Sequence, residues 1–271
     1  MVRAATQNLI AIGCLGAGFL TACSQGDPLD HLAQGETGRV VRIIDGDALV
    51  LDTGLTVRLV GIEAPAPQWR AREGQPHAEK SARMLEDMVM GRQVRLIYPG
   101  ITRDRYDRAL AYVKTEDRLG PDFWLNREML QRGGARARFY PDTIALGDLL
   151  ADAEAEARAS GRGLWALADY HILEAGELPE AARGFYIVAG KLAQAEPPGE
   201  DDDAHCIRAL EAARLTLRLE QAASELCNSQ LTGYRLQVRG YVYEGQMEIT
   251  HGLNVAEIAS SGNRLTSAKA P

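Results

Sequence analysis

Three charged residues in one short stretch, Asp47, Arg58 and Glu63, have the side-chain types that phosphate chemistry needs. Carboxylates bind a hard divalent cation through their oxygens, and a guanidinium donates paired hydrogen bonds to phosphate oxygens. Two carboxylates beside an arginine therefore indicate a site for phosphate chemistry, provided that the fold brings the three side chains together.

The elements that must position these residues are three apolar runs, which cover residues 40–44, 48–51 and 55–62. Residues 45–47 (Asp-Gly-Asp) and 52–54 (Asp-Thr-Gly) separate the runs and are turn signals between β-branched residues. A tightly connected antiparallel sheet is the simplest prediction. Because side chains alternate between the two faces of a strand, the three charged residues meet only if the sheet coils strongly or closes on itself.

Four ordered motifs at compatible spacing resemble the staphylococcal nuclease (thermonuclease) family. They are residues 44–47 (Ile-Asp-Gly-Asp), 57–65 (Val-Arg-Leu-Val-Gly-Ile-Glu-Ala-Pro), 104–112 (Asp-Arg-Tyr-Asp-Arg-Ala-Leu-Ala-Tyr) and 161–165 (Gly-Arg-Gly-Leu-Trp). The resemblance covers about residues 38–168. It implies an α+β, mostly β fold, namely a five-stranded OB-type barrel with three helices. It also implies calcium-dependent hydrolysis of phosphodiester bonds in DNA or RNA.

The resemblance implies roles for single residues as well. The metal ligands for Ca²⁺ would be Asp47, Glu63 and the backbone carbonyl of Ala64; the catalytic arginines would be Arg58 and Arg108; and the substrate-binding residues would be Arg105, Tyr106 and Phe139. These roles have structural alternatives. The aspartate could be a turn residue, Arg58 part of a structural ion pair, residues 105–106 a solvated turn, and the phenylalanine a core residue.

Two departures from the family pattern bear on activity. Glu63 stands where the family usually has aspartate, and its extra methylene moves the carboxylate. Ala66 stands where the family has the glutamate that activates the attacking water. Alanine can neither accept a proton nor orient water, and general-base assistance is typically worth about 10²–10⁴-fold in rate. Because Ala66 occupies this position in a domain that keeps its metal ligands and arginines, we expect a nuclease whose rate is attenuated. Gln68 or Glu73 could position water instead.

The composition limits how nucleic acid could be bound. The chain has 271 residues, is 46% hydrophobic and carries a formal net charge of −7. It can bury a sizeable core, but it does not suggest a generic polyanion-binding surface. Affinity for DNA or RNA must then come from local arginine clusters.

An alternative function is a catalytically inactive nuclease fold that binds nucleic acid or protein in the cell envelope. In a third hypothesis the acidic C-terminal domain docks an envelope partner, although no particular protein is deducible.

The N-terminus predicts where the protein resides. Residues 1–22 combine a basic start, a short apolar run and small residues, as in a secretory signal peptide, and residues 20–23 (Leu-Thr-Ala-Cys) resemble a bacterial lipobox. We expect Cys23 to carry a lipid anchor, which gives a periplasm-facing lipoprotein of the bacterial cell envelope. Ser24 favours the outer over the inner membrane. The alternative is a plain cleaved signal or an uncleaved anchor. Residues 23–37 are predicted to be a flexible tether.

The remaining chain is predicted to form a thermonuclease-like domain, a small β-rich OB-like domain and a tail, at residues 38–170, 171–260 and 261–271. Periodicity predicts helices that begin at His77, at Asp122 and after residues 141–142. In the second domain a helical insertion is favoured at residues 204–227, although residues 215–219 alternate like a strand.

Two cysteines remain outside the predicted signal and anchor, Cys206 and Cys227. In an oxidising compartment they most simply form a disulfide, and the alternative is two buried thiols. They do not have the four-ligand spacing that zinc needs.

Overall fold

The structure, a computed structural model, describes residues 26–257 apart from 69, 71–72, 118–119 and 200–202. The predicted signal peptide (1–22), the lipidation site Cys23 and the tail (261–271) lie outside the described residues. No helix in the described ranges is long and apolar enough to cross a membrane.

A closed barrel forms the first half of the fold. The described strands between residues 33 and 137 are β1 (Ala33–Asp45), β2 (Ala48–Leu51), β3 (Thr56–Leu59), β4 (Ile62–Glu63), β5 (Gln93–Tyr98), β6 (Ala109–Thr115) and β7 (Arg136–Ala137). The barrel closes in the order β1, β2, β3, β6, β5, and β4 pairs with β7 beside it. The predicted five-stranded barrel is confirmed.

The barrel interior is built by alternating apolar residues on these strands. They include Leu49, Val57, Leu59, Val94, Leu96 and Val113, all of which are fully buried. On β3, buried Val57 and Leu59 flank Arg58, which points to the other side of the strand. The same alternation that fills the core therefore directs Arg58 away from it.

Helices pack around the barrel. Within the described residues the α-helices are α1 (Ala78–Val89), α2 (Leu125–Gln131) and α3 (Gly147–Ala159). The three predicted helices are confirmed, although α2 begins later than predicted, with Trp124 and not Asp122 at its N-cap. Short 3₁₀ helices cover Pro28–His31, Pro141–Thr143, Gly163–Ala166, Ala168–Tyr170, Ala175–Glu177, Gln221–Cys227, Ser229–Leu231 and Gly252–Asn254.

A second sheet follows the barrel. Its described strands are β8 (Leu173–Glu174), β9 (Gly184–Lys191), β10 (Cys206–Ala209), β11 (Thr216–Leu219), β12 (Arg235–Tyr243), β13 (Gln246–Ile249) and β14 (Val255–Glu257). They run in the order β10, β11, β13, β12, β9, β8, with β14 paired to β12. The second region is β-rich as predicted. The chain directly after β9 bridges to β10, at Leu192 with Leu210 and at Glu196 with Ile207, so β10 is paired on both sides.

The predicted helical insertion at residues 204–227 is wrong. This segment forms β10, β11 and a 3₁₀ helix at Gln221–Cys227. Leu215, Leu217 and Leu219 are buried while the residues between them are partly exposed, so the period-two pattern outweighed the helix-favouring composition. The predicted disulfide between Cys206 and Cys227 is present, and it ties β10 to the end of the 3₁₀ helix.

The predicted tether at residues 23–37 is also wrong for residues 28–37. Pro28–His31 is a 3₁₀ helix, and β1 already begins at Ala33. Leu29 is only 1% exposed because it packs into the barrel core, and Asp27 forms an ion pair with Lys114 on β6. The burial of Leu29, the ion pair of Asp27 and the pairing of β1 with β5 hold this segment against the barrel.

The barrel and the second sheet share a buried interface. Arg239 on β12 forms an ion pair with Glu154 on α3 at 2.6 Å, and both side chains are almost fully buried. Arg136 on β7 donates a 3.0 Å hydrogen bond to the carbonyl of Phe185 on β9. Phe185 in turn belongs to an apolar cluster with Ala157 and Trp165. These contacts fix the second sheet against the barrel face that carries the candidate site.

Candidate active site

The turn between β1 and β2 places Asp47 inside the molecule. The Asp47 amide donates to the side chain of Asp45 at 3.1 Å, an arrangement typical of aspartate in turns. Gly46 lies against α1: a Cβ there would come within 1.8 Å of Ser81 Oγ and 2.8 Å of the Ala64 Cβ. Only glycine fits this approach, and it lets the Asp47 carboxylate accept a 2.6 Å hydrogen bond from the Ala64 amide.

Arg58 lies between the two carboxylates. Its register on β3 places it opposite Ala48 on β2, next to Asp47. The guanidinium is 3.0 Å from Asp47 Oδ1 through Nη1 and 2.9 Å from Glu63 Oε2 through Nη2. Its Nη1 also donates to the Leu59 carbonyl at 2.8 Å. Barrel closure therefore brings together the three residues whose spacing indicated a phosphate site.

Glu63 is held from three directions. It lies on β4 opposite Arg136 on β7, so Arg138, two residues further along, comes beside it. Arg138 Nη1 donates to Glu63 Oε2 at 2.8 Å, in addition to the bond from Arg58. The hydroxyl of Tyr241 donates to Glu63 Oε1 at 2.7 Å. Both oxygens of this carboxylate thus have hydrogen-bond donors, one of them from the second sheet.

The two carboxylates differ in their electrostatic surroundings. Burial raises the pKa of Asp47 well above its usual range despite the attraction of Arg58, and repulsion from Asp45 and Glu63 adds to the rise. Burial also opposes ionisation of Glu63, but Arg58 and Arg138 outweigh it and lower the pKa of Glu63. The pKa values of the two carboxylates thus shift in opposite directions, because Glu63 has a second guanidinium beside it.

The predicted catalytic Arg108 is not part of this cluster. Its Nε and Nη2 atoms lie 2.7 Å from Asp104 Oδ2, and among the described ion pairs it has none with Asp47 or Glu63. Burial works against ionisation of Asp104, but hydrogen bonds from Arg108 outweigh it and lower the pKa of Asp104. Arg108 precedes β6, whose first residue Ala109 pairs with Val57 on β3.

Arg105 and Tyr106 lie on the same exposed turn. The guanidinium of Arg105 is 4.8 Å from the centre of the Tyr106 ring, and that of Arg108 is 5.8 Å from it. Tyr106 is 66% exposed. The turn thus presents an accessible aromatic ring flanked by two cations, in keeping with the predicted substrate-binding role, although it is equally a solvated turn of mixed charge.

Phe139 is not available to stack on a base as predicted. It is 2% exposed and belongs to the barrel core, which is the alternative that the sequence left open. Its neighbour Tyr140 is 37% exposed, because successive residues of an extended segment point to opposite sides. The accessible aromatic side chain of this segment is therefore one residue further along the chain.

Among the described residues of this loop, no carboxylate is hydrogen-bonded to the cluster in place of the one missing at Ala66. The Ala66 amide donates to Gln75 at 2.8 Å, and Gln68 and Glu73 are exposed. Among the hydrogen bonds of the described residues, none joins Gln68 or Glu73 to the Asp47–Glu63 cluster. The substitutes considered for positioning water thus lie on the loop before α1, without a contact to the cluster.

Sequence reasoning missed two residues of the site, Arg138 and Tyr241. Arg138 follows β7, whose two-residue length gives no periodic signal. Tyr241 lies 178 positions from Glu63 in the sequence. For Arg138, the available sequence signal was its place in an arginine- and aromatic-rich segment, residues 136–140 (Arg-Ala-Arg-Phe-Tyr). For Tyr241, no local pattern pointed to the site.

The donor chemistry of the cluster fits a hard divalent cation. The Asp47 and Glu63 carboxylates and the Ala64 carbonyl are oxygen donors of the kind that calcium takes. No group of three or more acidic, histidine or cysteine side chains arranged to hold a metal ion occurs within the described ranges. An ion here would compete with Arg58 and Arg138 for the carboxylate oxygens.

A closed five-stranded barrel with flanking helices, and an arginine set between two carboxylates, define an OB-type barrel protein with a site suited to phosphate esters. Residues 56–167 match the family model "Staphylococcal nuclease homologue". The chain is 30% identical over 135 residues to a thermonuclease of Staphylococcus intermedius, covering 49% of this chain and 77% of that relative.

Two further relatives are bacterial proteins. The chain is 35% identical over 153 residues to an uncharacterized endonuclease of Haemophilus influenzae, covering 54% of this chain and 71% of the relative. It is 34% identical over 135 residues to an uncharacterized endonuclease of Escherichia coli O157:H7, covering 49% and 78%. The chain therefore belongs to the staphylococcal nuclease family, and the predicted family is confirmed.

Proposed function

We propose that this protein is a nuclease that hydrolyses phosphodiester bonds of DNA or RNA with the help of calcium. The names of its relatives, thermonuclease and endonuclease, support this activity. The observation that carries the proposal is the Arg58 guanidinium held between Asp47 and Glu63. Such an arrangement is suited to a group that becomes more negative during the reaction.

Arg58 retains hydrogen-bonding capacity for a substrate phosphate. Its contacts with the Leu59 carbonyl, Glu63 and Asp47 engage three of the five N–H donors of a guanidinium. Although burial opposes it, the Asp47 and Glu63 charges raise the pKa of Arg58, so the residue stays cationic. Its side chain is 17% exposed, which leaves an edge that a phosphate can reach.

Calcium would be held by Asp47, Glu63 and the carbonyl of Ala64. When bound, the ion supplies positive charge that polarises a phosphoryl oxygen and acidifies a water. The protein's own residues orient the phosphate through Arg58, and Arg138 and Tyr241 fix the Glu63 carboxylate. The exposed turn at residues 104–108 offers the substrate the Arg105 guanidinium and the accessible ring of Tyr106.

A nucleic-acid-binding module without hydrolysis is the second candidate function. Ala66 favours it, because no carboxylate stands at the position where the family activates water. It is also favoured by the occupation of both Glu63 oxygens. Both candidates use the same binding surface, and they differ in whether the phosphodiester bond is broken.

We further propose that the protein is a lipoprotein of the bacterial cell envelope, anchored through Cys23 and facing the periplasm. The lipobox-like residues 20–23 support this location. Metabolic labelling with a tritiated fatty acid tests it: label should enter the wild-type protein and be absent from Cys23→Ala. Equal labelling of both, or of neither, contradicts the anchor.

Hydrolysis assays test the activity. Purified full-length protein is incubated with single-stranded DNA or RNA, in calcium or in a chelator, beside the variants Arg58→Ala and Arg95→Ala. Arg95 is a matched control, since it lies on barrel strand β5 and pairs with Glu116 away from the cluster. Calcium-dependent cleavage that is lost in Arg58→Ala and kept in Arg95→Ala is the expected result. Binding without cleavage favours the binding module, and cleavage by Arg58→Ala at the wild-type rate contradicts the proposed site.

A further inference from the structure

A cleft lies between the barrel and the second sheet, next to the candidate active site. Its volume is about 330 Å³, within the range of pockets that bind small organic groups. The barrel contributes Arg138 and Tyr140 to its lining, and the second sheet contributes Tyr241 and Tyr243. The cleft therefore exists only because the second sheet packs against the barrel.

The cleft presents stacked planar groups. The Arg138 guanidinium lies 4.7 Å from the centre of the Tyr140 ring and 4.4 Å from that of Tyr241. Tyr243 lies further along β12, and the centre of its ring is 4.6 Å from the guanidinium of Arg183, the residue before β9. Tyr140, Tyr241 and Tyr243 are 37%, 45% and 57% exposed. Three tyrosine rings of the lining thus have surface that a ligand can reach, and tyrosine is a side chain that commonly contributes to binding surfaces.

The cleft is continuous with the catalytic cluster. Tyr241 donates its hydroxyl hydrogen bond to Glu63 Oε1 at 2.7 Å, and Arg138 donates to Glu63 Oε2 at 2.8 Å. Glu63 is itself paired with Arg58. A nucleic-acid strand with a phosphate bound at Arg58 would therefore lie next to Arg138 and Tyr241, which line the cleft.

The charges of the cleft indicate which part of a nucleic acid it binds. Arg138 is neutralised by Glu63 and Arg239 by Glu154, and Glu248 also lines the cleft. Phosphate binding by uncompensated cations is therefore not its main chemistry. Exposed rings bind nucleic-acid bases by stacking, which requires bases that are not paired in a duplex.

We propose that this cleft binds unpaired bases of the substrate strand next to the phosphate at Arg58, so that the substrate is a single-stranded nucleic acid several nucleotides long. This inference rests on the proposed function. The second sheet then serves as a substrate-binding extension of the nuclease barrel. Because stacking contributes more than phosphate contacts, the binding gained from the cleft should depend weakly on salt.

Binding of labelled oligothymidylates to the full chain in a chelator tests the proposal. A dinucleotide sets the baseline, since it is too short to span Arg58 and the far end of the cleft, and a decanucleotide measures the added contacts. Tyr243→Ala should weaken decanucleotide binding roughly 5-fold to 100-fold, the range for loss of one base–aromatic stack. Tyr243→Phe, which keeps a ring, should retain most of the affinity.

Tyr234→Ala is the matched control, because Tyr234 is 48% exposed, lies just before β12 and is not part of the cleft lining. The proposal is overturned if the decanucleotide binds no more tightly than the dinucleotide, if Tyr243→Ala has no larger effect than Tyr234→Ala, or if a duplex binds as tightly as the single strand. Thermal unfolding of each variant identifies losses of affinity that come from misfolding. If Tyr243→Ala misfolds, Tyr140→Ala tests the proposal by removing a different ring of the cleft.

The same samples, assayed for hydrolysis in calcium, separate the two proposals. If the wild-type protein cleaves the substrate but Tyr243→Ala does not weaken binding, the nuclease function stands and the proposal that the cleft binds bases is overturned. A wild-type protein that does not cleave, yet binds the decanucleotide through Tyr243, keeps the cleft and overturns the nuclease function.

Discussion

Tyr241 and Glu63 are joined by a 2.7 Å hydrogen bond across the interface between the second sheet and the barrel. Glu63 is one of the two carboxylates around Arg58, so a residue from outside the barrel contacts the candidate catalytic cluster. The barrel alone would leave Oε1 of Glu63 to solvent. The second sheet is therefore part of the site and not a separate appendage.

The Tyr241 contact should have a characteristic pH dependence. Burial raises the pKa of Tyr241 to about 12, and the nearby Glu63 charge contributes to the rise. A group whose pKa is raised in the folded state contributes stability that is complete below its unfolded pKa, about 10 for tyrosine. That contribution is lost as the pH rises from about 10 to 12.

Urea unfolding of the wild type and Tyr241→Phe at pH 8, 10 and 12 measures this effect. The wild type should be the more stable protein at pH 8, and the difference should disappear by pH 12. Tyr243→Phe is the control, since its hydroxyl makes no described hydrogen bond to the cluster. A difference between wild type and Tyr241→Phe that is constant from pH 8 to 12 contradicts the contact.

Arg58→Ala and Arg108→Ala should both lower activity, but they should lower the free energy of unfolding by different amounts. Arg58→Ala leaves Asp47 and Glu63 facing each other without their shared cation, and breaking a buried pair in this way costs about 3–5 kcal/mol. Arg108 is 37% exposed and pairs within its own turn, so Arg108→Ala should cost about 1 kcal/mol or less. Urea unfolding and hydrolysis of the same samples measure both quantities. Equal stability losses would contradict the buried position of Arg58.

Restoring a carboxylate at position 66 should accelerate hydrolysis. Ala66→Glu places a proton acceptor where the family has one, and the rate should rise by up to about 10²–10⁴-fold. Ala66→Gln has a similar shape without the basic group and should change the rate little. Initial rates on single-stranded DNA in calcium compare the three proteins. Equal rates for the two variants would show that another group already activates the water.

The ion pair between Arg239 and Glu154 should hold the second sheet to the barrel. Both side chains are nearly fully buried and 2.6 Å apart, and Glu154 also accepts a 2.7 Å hydrogen bond from the Ala137 amide. Arg239→Ala should therefore lower the free energy of unfolding by about 3–5 kcal/mol.

The partly exposed pair of Arg95 and Glu116 provides the comparison, since Arg95→Ala should cost about 1 kcal/mol or less. Limited proteolysis adds a structural readout: Arg239→Ala should be cut between the barrel and the second sheet sooner than the wild type. Equal cleavage rates and equal unfolding free energies for the two variants would contradict this role of the pair.

Local sequence patterns determined much of the barrel. The apolar run at residues 48–51 coincides with β2, the run at 55–62 contains β3, and the Asp-Gly-Asp and Asp-Thr-Gly turns predict the connections of β1, β2 and β3. The sequence also indicated Asp47, Arg58 and Glu63 as site residues, and strand alternation implied that they meet only if the sheet coils strongly or closes on itself. Such signals are readable because turn chemistry and strand periodicity act over a few neighbouring residues.

Tertiary structure decided what lies against those residues. Glu63 meets Arg138 from 75 positions away and Tyr241 from 178 positions away, and no local pattern encodes such pairs. Tertiary structure also decided that Phe139 is buried and Tyr140 exposed. Leu29 belongs to a segment predicted to be a tether, yet it packs into the barrel core. Side-chain types and spacings specify which chemistry is possible, whereas barrel closure and the packing of two sheets specify which distant groups share that chemistry.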